Sequence, residues 1–468
     1  MSNATGDAGS ALSPPLISQG PTKLPAATLD QSAIQASILR KYDFRILPVT
    51  FLSWTLFYLD RATISLAIVN GMKEDLALYG TRYNTTLLIF FVLYMVFNIP
   101  GNLVLRRAGG GRFLPFIMAV WGLITTFTGF VKTFEGLCAS RVLLGLAESA
   151  YIGSVMLYLG FFYTEFELVA RVGIFYSGNA LAGAIGGFLA GGLSQIKFRG
   201  YNGWPWIYFV EGVLTVVLAI AAFSILPNTP ETAKFLTREE RILAVERMLR
   251  LDRRHEDLIL AATPLTGDEQ KLSEKESMIG GRVDSDGCTT TKPDRLQWST
   301  FKRAIWNPVT LMLAMATWLC IAALYSFSFF LPLIIQAMGY HGIKMNLMTV
   351  PPCVAGFIFT ILITQYSQKS GQKAYPVMSC AAIATLGYTL LLAGGYATTH
   401  VGMARIQYSG TFFVSIGTNA MPPLCLAWTS INASPHYVRA IVLGFIISVG
   451  NTASFLSAYT YIPKHKPR

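Results

Sequence analysis

Asp60 and Arg61 stand side by side in "FYLDRATISLA", within an otherwise apolar run from about Ile46 to Val69. A charged side chain in hydrocarbon costs between about 2.5 and more than 10 kcal/mol, so such residues face a cavity or a partner. Glu148 and Glu211 also fall in apolar runs, and Arg141 precedes Glu148 by two helical turns. At that spacing Arg141 and Glu148 share one helix face, about 10 Å apart along the axis. Gly145 between them leaves room for a close neighbour. Asp60 and Arg61 are consecutive, so they project about 100° apart and need separate surroundings. Counted by helical rise, Asp60 lies roughly 21 Å into its run and Glu148 roughly 16 Å, both near mid-depth.

Burial favours a neutral carboxyl and a nearby guanidinium favours an ionised one. A carboxylate set between the two can bind and release a proton as a cavity opens to either side. Asp60 and Glu148 are therefore the proton-coupling candidates, with Arg61 and Arg141 completing a charge network. The competing reading is a fixed ion pair that locks helices. Glu211, soon after Trp204 and Trp206, reads as structural. From Phe301 to Arg468 there is no Asp or Glu, and His255, His341, His400, His436 and His465 fall in loops or at span ends. A histidine relay is not expected.

These groups need elements to hold them. The chain has 468 residues, 53% hydrophobic and 13% charged, with mean hydropathy +0.47, far more apolar surface than a soluble domain hides. Runs near the 20 residues that span a bilayer occur at about 46–69, 85–105, 113–131, 136–160, 171–194, 205–226, 308–331, 346–365, 375–395, 404–427 and 439–461. The expectation is an all-α polytopic membrane protein. Arg40, Lys41 and Arg45 before the first run and Arg106, Arg107 and Arg112 after the second place both on the cytoplasmic side. The sequon at Asn84 then falls in an outer loop, where a glycan is possible. The six Cys have no paired spacing, so neither a disulfide framework nor a metal site is expected.

Five segments follow: a disordered cytoplasmic tail (1–45), a six-helix bundle (46–226), a cytoplasmic loop (227–305), a second bundle of five spans (306–461) and a short basic tail (462–468). In the loop, Thr237 and Glu240 form a capping-box pattern ahead of "RILAVERMLR", an amphipathic helix. Two bundles related by a pseudo-axis along the membrane normal hold substrate between them, and six plus six spans would be usual. An eleventh span would leave "IPKHKPR" outside, against the charge rule. The expectation is a missing final span, with a true eleven-span chain as the alternative.

Inside the spans, Asn179, Tyr325, Asn419 and Asn451 could bind a polar solute or bond between helices. Pro100, Pro332, Pro351, Pro352, Pro422 and Pro423 predict breaks or kinks. Gly178, Ala182, Gly186 and Ala190 predict close helix contact in the fifth span. No nucleophile, cofactor, metal or phosphate-binding constellation points to an enzyme, and nothing points to nucleic acid.

"YLDRATISLA", "SRVLLGLAESA", "WPWIYFVEG" and "LPNTPETAKFLTREER" resemble the major facilitator superfamily, specifically the fungal allantoate-permease branch of its anion:cation symporters, from about Lys41 to Tyr461. The resemblance implies proton-coupled uptake of a small organic anion such as allantoate, nicotinate or pantothenate, by a monomer in the plasma membrane. It assigns proton coupling to Asp60 and Glu148, substrate counter-charge to Arg61, and pocket positions to Asn179 and Asn451, beside Tyr325, which is a substrate-binding candidate as a polar residue inside a span. Thr63 stands where the family usually has Asn, and Gln368 where it often has a gating Asp. Two alternatives remain: an exporter of a fungal secondary metabolite, against which the fifth span lacks the Pro of the antiporter signature, and a transport-inactive sensor or remnant.

Overall fold

The computed structural model describes residues 26–196, 203–248, 250, 302, 304–394, 400–432 and 436–460. Among them every regular element is helical. The first half runs through α1 (Ala26–Ala67), a π turn (Ile68–Met72), the one-turn α2 (Lys73–Asp75), α3 (Arg82–Ala108), α4 (Gly110–Thr128), α5 (Phe134–Glu148), α6 (Tyr151–Gly160), α7 (Glu165–Leu193) and α8 (Gly203–Ile225). The second comprises α9 (Pro308–Ala337), α10 (Gly342–Met348), α11 (Val350–Ser370), α12 (Ala374–Gly394), α13 (His400–Asn432) and α14 (His436–Thr460). The eleven apolar runs each fall wholly or largely on these helices, and among the described residues eight helical stretches are long and apolar enough to cross a membrane.

Two spans are broken at informative places. The fourth divides into α5 and α6 at a turn over Ser149 and Ala150, immediately after Glu148. The eighth divides at Thr349, where Val350-Pro351-Pro352 opens α11, because a proline suits a helix's first turn. Pro332, Pro422 and Pro423 do not end their helices. The first span ends in the π turn, where Gly71 takes φ +108°, a conformation that favours glycine.

The amino-terminal expectation needs correcting, since helix α1 begins at Ala26 and runs unbroken into the first span. Ile34, Ile38, Tyr42 and Ile46 recur every fourth residue and form a stripe that packs into the core, with Ile38, Tyr42 and Ile46 buried. The same helix is tied to the loop after α8. Lys41 Nζ donates to both Glu240 oxygens at 2.7 and 2.6 Å, and Ser37 Oγ donates to Oε1 at 2.9 Å. Thr237 and Glu240 form the expected capping box, opening a helix over 238–248. Burial pushes the Glu240 carboxyl up, but the bonds from Lys41, the Thr237 N–H and Ser37 outweigh it and hold the group below its ordinary range. Residues 1–25, most of the expected loop linker (251–301) and the basic tail (462–468) lie outside the described residues.

Helix contacts are close where glycine allows them. A Cβ on Gly145 would stand 2.6 Å from the Phe90 carbonyl oxygen, so α3 and α5 touch backbone to side there. Gly145→Ala recovers at most about 1 kcal/mol of helix propensity and forces apart helices whose overpacking costs about 1–3 kcal/mol. The expected result is a lower thermal midpoint in detergent, and an unchanged or raised midpoint would contradict this packing.

The halves meet along α7 and α11. A Cβ on Gly173 would stand 2.7 Å from Thr364, one on Gly183 2.7 Å from the Cys353 sulfur, and one on Gly187 2.8 Å from the Asn346 carbonyl oxygen. In the π turn after α1, Asn70 and Asn346 exchange side-chain amide hydrogen bonds of 3.2 and 3.0 Å across the same divide.

Candidate functional site

As their angular separation requires, Asp60 and Arg61 enter different surroundings. Arg61 turns toward the second half: its Nη1 donates to the Tyr325 hydroxyl at 2.8 Å, and its Nε meets Glu148 Oε2 at 3.4 Å. The guanidinium lies 4.1 Å from the Phe57 ring centroid and 4.7 Å from that of Tyr94. This aromatic cage holds a cation out of water by its ring quadrupoles. Arg61 is 5% exposed and Glu148 0%, a buried ion pair. The Tyr325 hydroxyl in turn donates to Asn451 Oδ1 at 3.2 Å, so Glu148, Arg61, Tyr325 and Asn451 form one line from α5 through α1 to α9 and α14.

Asp60 turns into the first bundle, where Thr125 Oγ1 on α4 donates to its Oδ1 at 2.7 Å. Glu211 on α8 accepts from Thr63 Oγ1 at 2.5 Å. Arg141 and Glu148 share the buried face of α5 with Leu137, Leu144 and Gly145, as their spacing predicts. They do not bond each other: Arg141 Nη2 donates to the Tyr208 hydroxyl at 3.0 Å, and Arg141 acts on Glu148 through charge alone.

A cleft of about 600 Å³, its open mouth included, lies between the halves and is lined by Tyr58, Arg61, Ser65, Asn179, Tyr325 and Asn419 among others. Among the described residues its lining holds one charged group, the Arg61 guanidinium, whose Nη2 has no hydrogen-bond partner. Asn179 Nδ2 donates to Asn419 Oδ1 at 3.0 Å across the cleft. A smaller space of about 350 Å³ lies beyond Tyr58 and Tyr325 and is lined by Asn451.

Of the residues expected at a site, Arg61, Asn179 and Tyr325 line the main cleft and Asn451 the smaller space. Glu148 stands one bond behind, through Arg61. Asp60 lies in the first bundle and lines neither. Asn84 is in the first turn of α3 with its side chain 3% exposed. That is a correction to the outer-loop reading, since an enclosed amide leaves no room for a glycan. Sequence reasoning passed over Tyr58 and Ser65, although both lie on the Arg61 side of α1 at helical spacing. Among the described residues, no group of three or more His, Cys, Asp or Glu is placed to hold a metal.

Two helical halves around a cleft with one buried cation make a multi-pass membrane transporter. The family model of the major facilitator superfamily matches residues 50–458, and the chain belongs to that superfamily of secondary transporters. It is 30% identical to an uncharacterized transporter of Schizosaccharomyces pombe, covering 93% of this chain and 79% of the relative. It is 26% identical to a putative tartrate transporter of Agrobacterium vitis, over 90% of this chain and 84% of the relative. In fold it resembles the proton:xylose symporter XylE, at a TM-score of 0.62 and 14% identity, covering 90% of this chain and 88% of that one.

Proposed function

We propose that the chain imports a small organic anion together with a proton, by alternating access, as a monomer in the plasma membrane. The observation that carries this reading is the Arg61 guanidinium, the single charge among the described residues that line the cleft, with an Nη2 buried without a hydrogen-bond partner. A buried cation facing a cleft without acidic lining selects for negative charge. The planar fork of a guanidinium also matches a carboxylate. Substrates of the allantoate, nicotinate and pantothenate type present such a group, and the relative named as a putative tartrate transporter supports a carboxylate.

Coupling follows from charge balance. With the cleft empty, Glu148 neutralises Arg61. A substrate carboxylate on Arg61 would leave two negative charges against one positive in a largely buried site, where such an imbalance is costly. Protonation of Glu148 restores neutrality, so binding of one monoanion favours binding of one proton. The Asn179–Asn419 and Arg61–Tyr325 bonds cross between the halves and must be remade as they rock. Tyr325 and Asn451 then re-pair with substrate, and Asp60 accepts the proton deeper in the first bundle.

The test is uptake into cells expressing the chain, comparing candidate carboxylates with their uncharged amides at pH 5 and pH 7. Carboxylates are taken up faster at pH 5, and the amides neither enter nor compete. Equal rates at the two pH values for every accepted carboxylate, or equal handling of acid and amide, would contradict the proposal.

A further inference from the structure

Beside the smaller space lies a group of sulfur atoms that the transport site leaves unused. Cys320 Sγ on α9 stands 3.7 Å from Cys425 Sγ and 3.7 Å from Met421 Sδ, both on α13. Met421 and Cys425 are four residues apart, so they share one face of α13. All three are buried, in an apolar cluster with Ala420 and Leu424. Cys380 on α12 belongs to that cluster as well. Among the described residues no three of Cys, His, Asp and Glu are placed to hold a metal together, so the third donor beside the two thiols is a thioether. The thiols lie 105 residues apart in the chain, which is why cysteine spacing predicts no metal site.

Sulfurs bound to one ion at about 2.3 Å stand roughly 3.8 Å apart at tetrahedral angles, so the observed separations need little change. Charge then selects the ion. A net charge in apolar surroundings is costly, and from Phe301 to Arg468 the chain has no Asp or Glu. Two thiolates neutralise a divalent ion, whereas copper(I) on the same pair leaves a buried negative charge. Thiolate and thioether are soft donors, and harder ions want carboxylate, carbonyl or water. A soft divalent ion such as cadmium(II) meets both conditions.

Filling the group ties α9 to α13 where α13 can bend. Pro422 and Pro423 lie between Met421 and Cys425 and supply no N–H, so the Thr418 and Asn419 carbonyls lose their helical donors. Asn419 reaches across the cleft to Asn179, a bond that the proposed cycle remakes. Thr317, one turn before Cys320, and Pro422, next to Met421, both line the smaller space, which gives an ion a way in from the cleft side.

We infer that Cys320, Cys425 and Met421 form a binding site for one soft divalent metal ion of the cadmium(II) class, and that filling it stiffens the bend at Pro422 and Pro423 and slows transport. Binding exchanges two thiol protons for the ion, so charge is conserved. The binding readout needs no transported solute, and only the uptake readout rests on the transport reading.

The test adds cadmium(II) to purified full-length protein, kept anaerobic with a phosphine reductant. One ion binds per chain, with a thiolate-to-metal absorption band and two protons released. Below the range where the thiols titrate, two displaced protons raise the affinity about a hundredfold per pH unit. Cys320→Ser and Cys425→Ser lose the band. Met421→Leu keeps it and binds more weakly, since Leu fills the space of Met without its sulfur. Cys138→Ser, which removes a partly exposed thiol on α5, changes nothing. Cadmium(II) slows uptake by the parent and not by Cys320→Ser. Should the Ser variants fail to fold, the proton count and the Met421→Leu affinity decide. A band that survives both Ser variants, fewer than two protons released, or equal affinity in Met421→Leu would overturn the site. A bound ion that leaves uptake unchanged would overturn the link to transport.

Discussion

Arg61→Ala is expected to abolish anion uptake and to weaken the fold by roughly 3–5 kcal/mol, the cost of leaving a buried charge without its partner. The partner left behind is Glu148, fully buried and otherwise without a donor on either oxygen. The two effects separate in the double variant Arg61→Ala, Glu148→Gln, which restores much of the thermal midpoint and none of the transport. If the double variant remains as unstable as the single one, the ion pair is not what the single change breaks. Arg61→Lys keeps the charge but offers a point ammonium where the fork reaches both Tyr325 and Glu148. Losing one hydrogen bond to a charged group costs about 1.5–3 kcal/mol, which corresponds to roughly 10- to 150-fold weaker uptake.

Glu148→Gln is expected to separate binding from coupling. The amide oxygen can still accept from Arg61 Nε, so the guanidinium stays in its aromatic cage. Without a titratable group there, nothing ties the anion to a proton. In the parent, one proton per monoanion supports about a tenfold concentration ratio for each unit of pH gradient, since each unit is worth 2.303RT. At zero membrane voltage that ratio falls to one in Glu148→Gln, while exchange of labelled for unlabelled anion continues. Accumulation as steep in the variant as in the parent would assign the coupling proton elsewhere.

How far the sequence could be read depended on whether the signal lay along one helix or between helices. The eleven runs were legible because hydrocarbon demands about 20 apolar residues per crossing. The shared face of Arg141, Gly145 and Glu148 was legible because 3.6 residues make a turn. The divergence of Asp60 and Arg61 followed from the same geometry, and it became two charge clusters, one across the halves and one inside the first bundle. The helical start of α1 was also present, in the fourfold spacing of Ile34, Ile38, Tyr42 and Ile46, but the polar, Ala- and Ser-rich composition around it masked the stripe.

Partnerships across helices were not legible. Nothing in the spacing of α8 sets Glu211 against Thr63, because the match depends on how α8 crosses α1. Arg141 pairs with Tyr208 on another helix although Glu148 lies on its own face. Asn84 carries a sequon at a position that sequence alone puts in a loop, and the first turn of α3 encloses it. Asn179 and Asn451 were read as polar positions in spans, and only the packing of the halves gives one a place on the main cleft and the other a place behind Tyr325.

The proposed coupling makes a carboxylate on Arg61 and a proton on Glu148 travel together. Its most direct test is to measure proton and anion entry simultaneously in proteoliposomes of the purified chain, with membrane voltage clamped to zero by a potassium ionophore. The expected result is one proton per monoanion with no net charge moved, and proton entry lost in Glu148→Gln. Anion entry with no accompanying proton, or the same proton count in Glu148→Gln as in the parent, would contradict it.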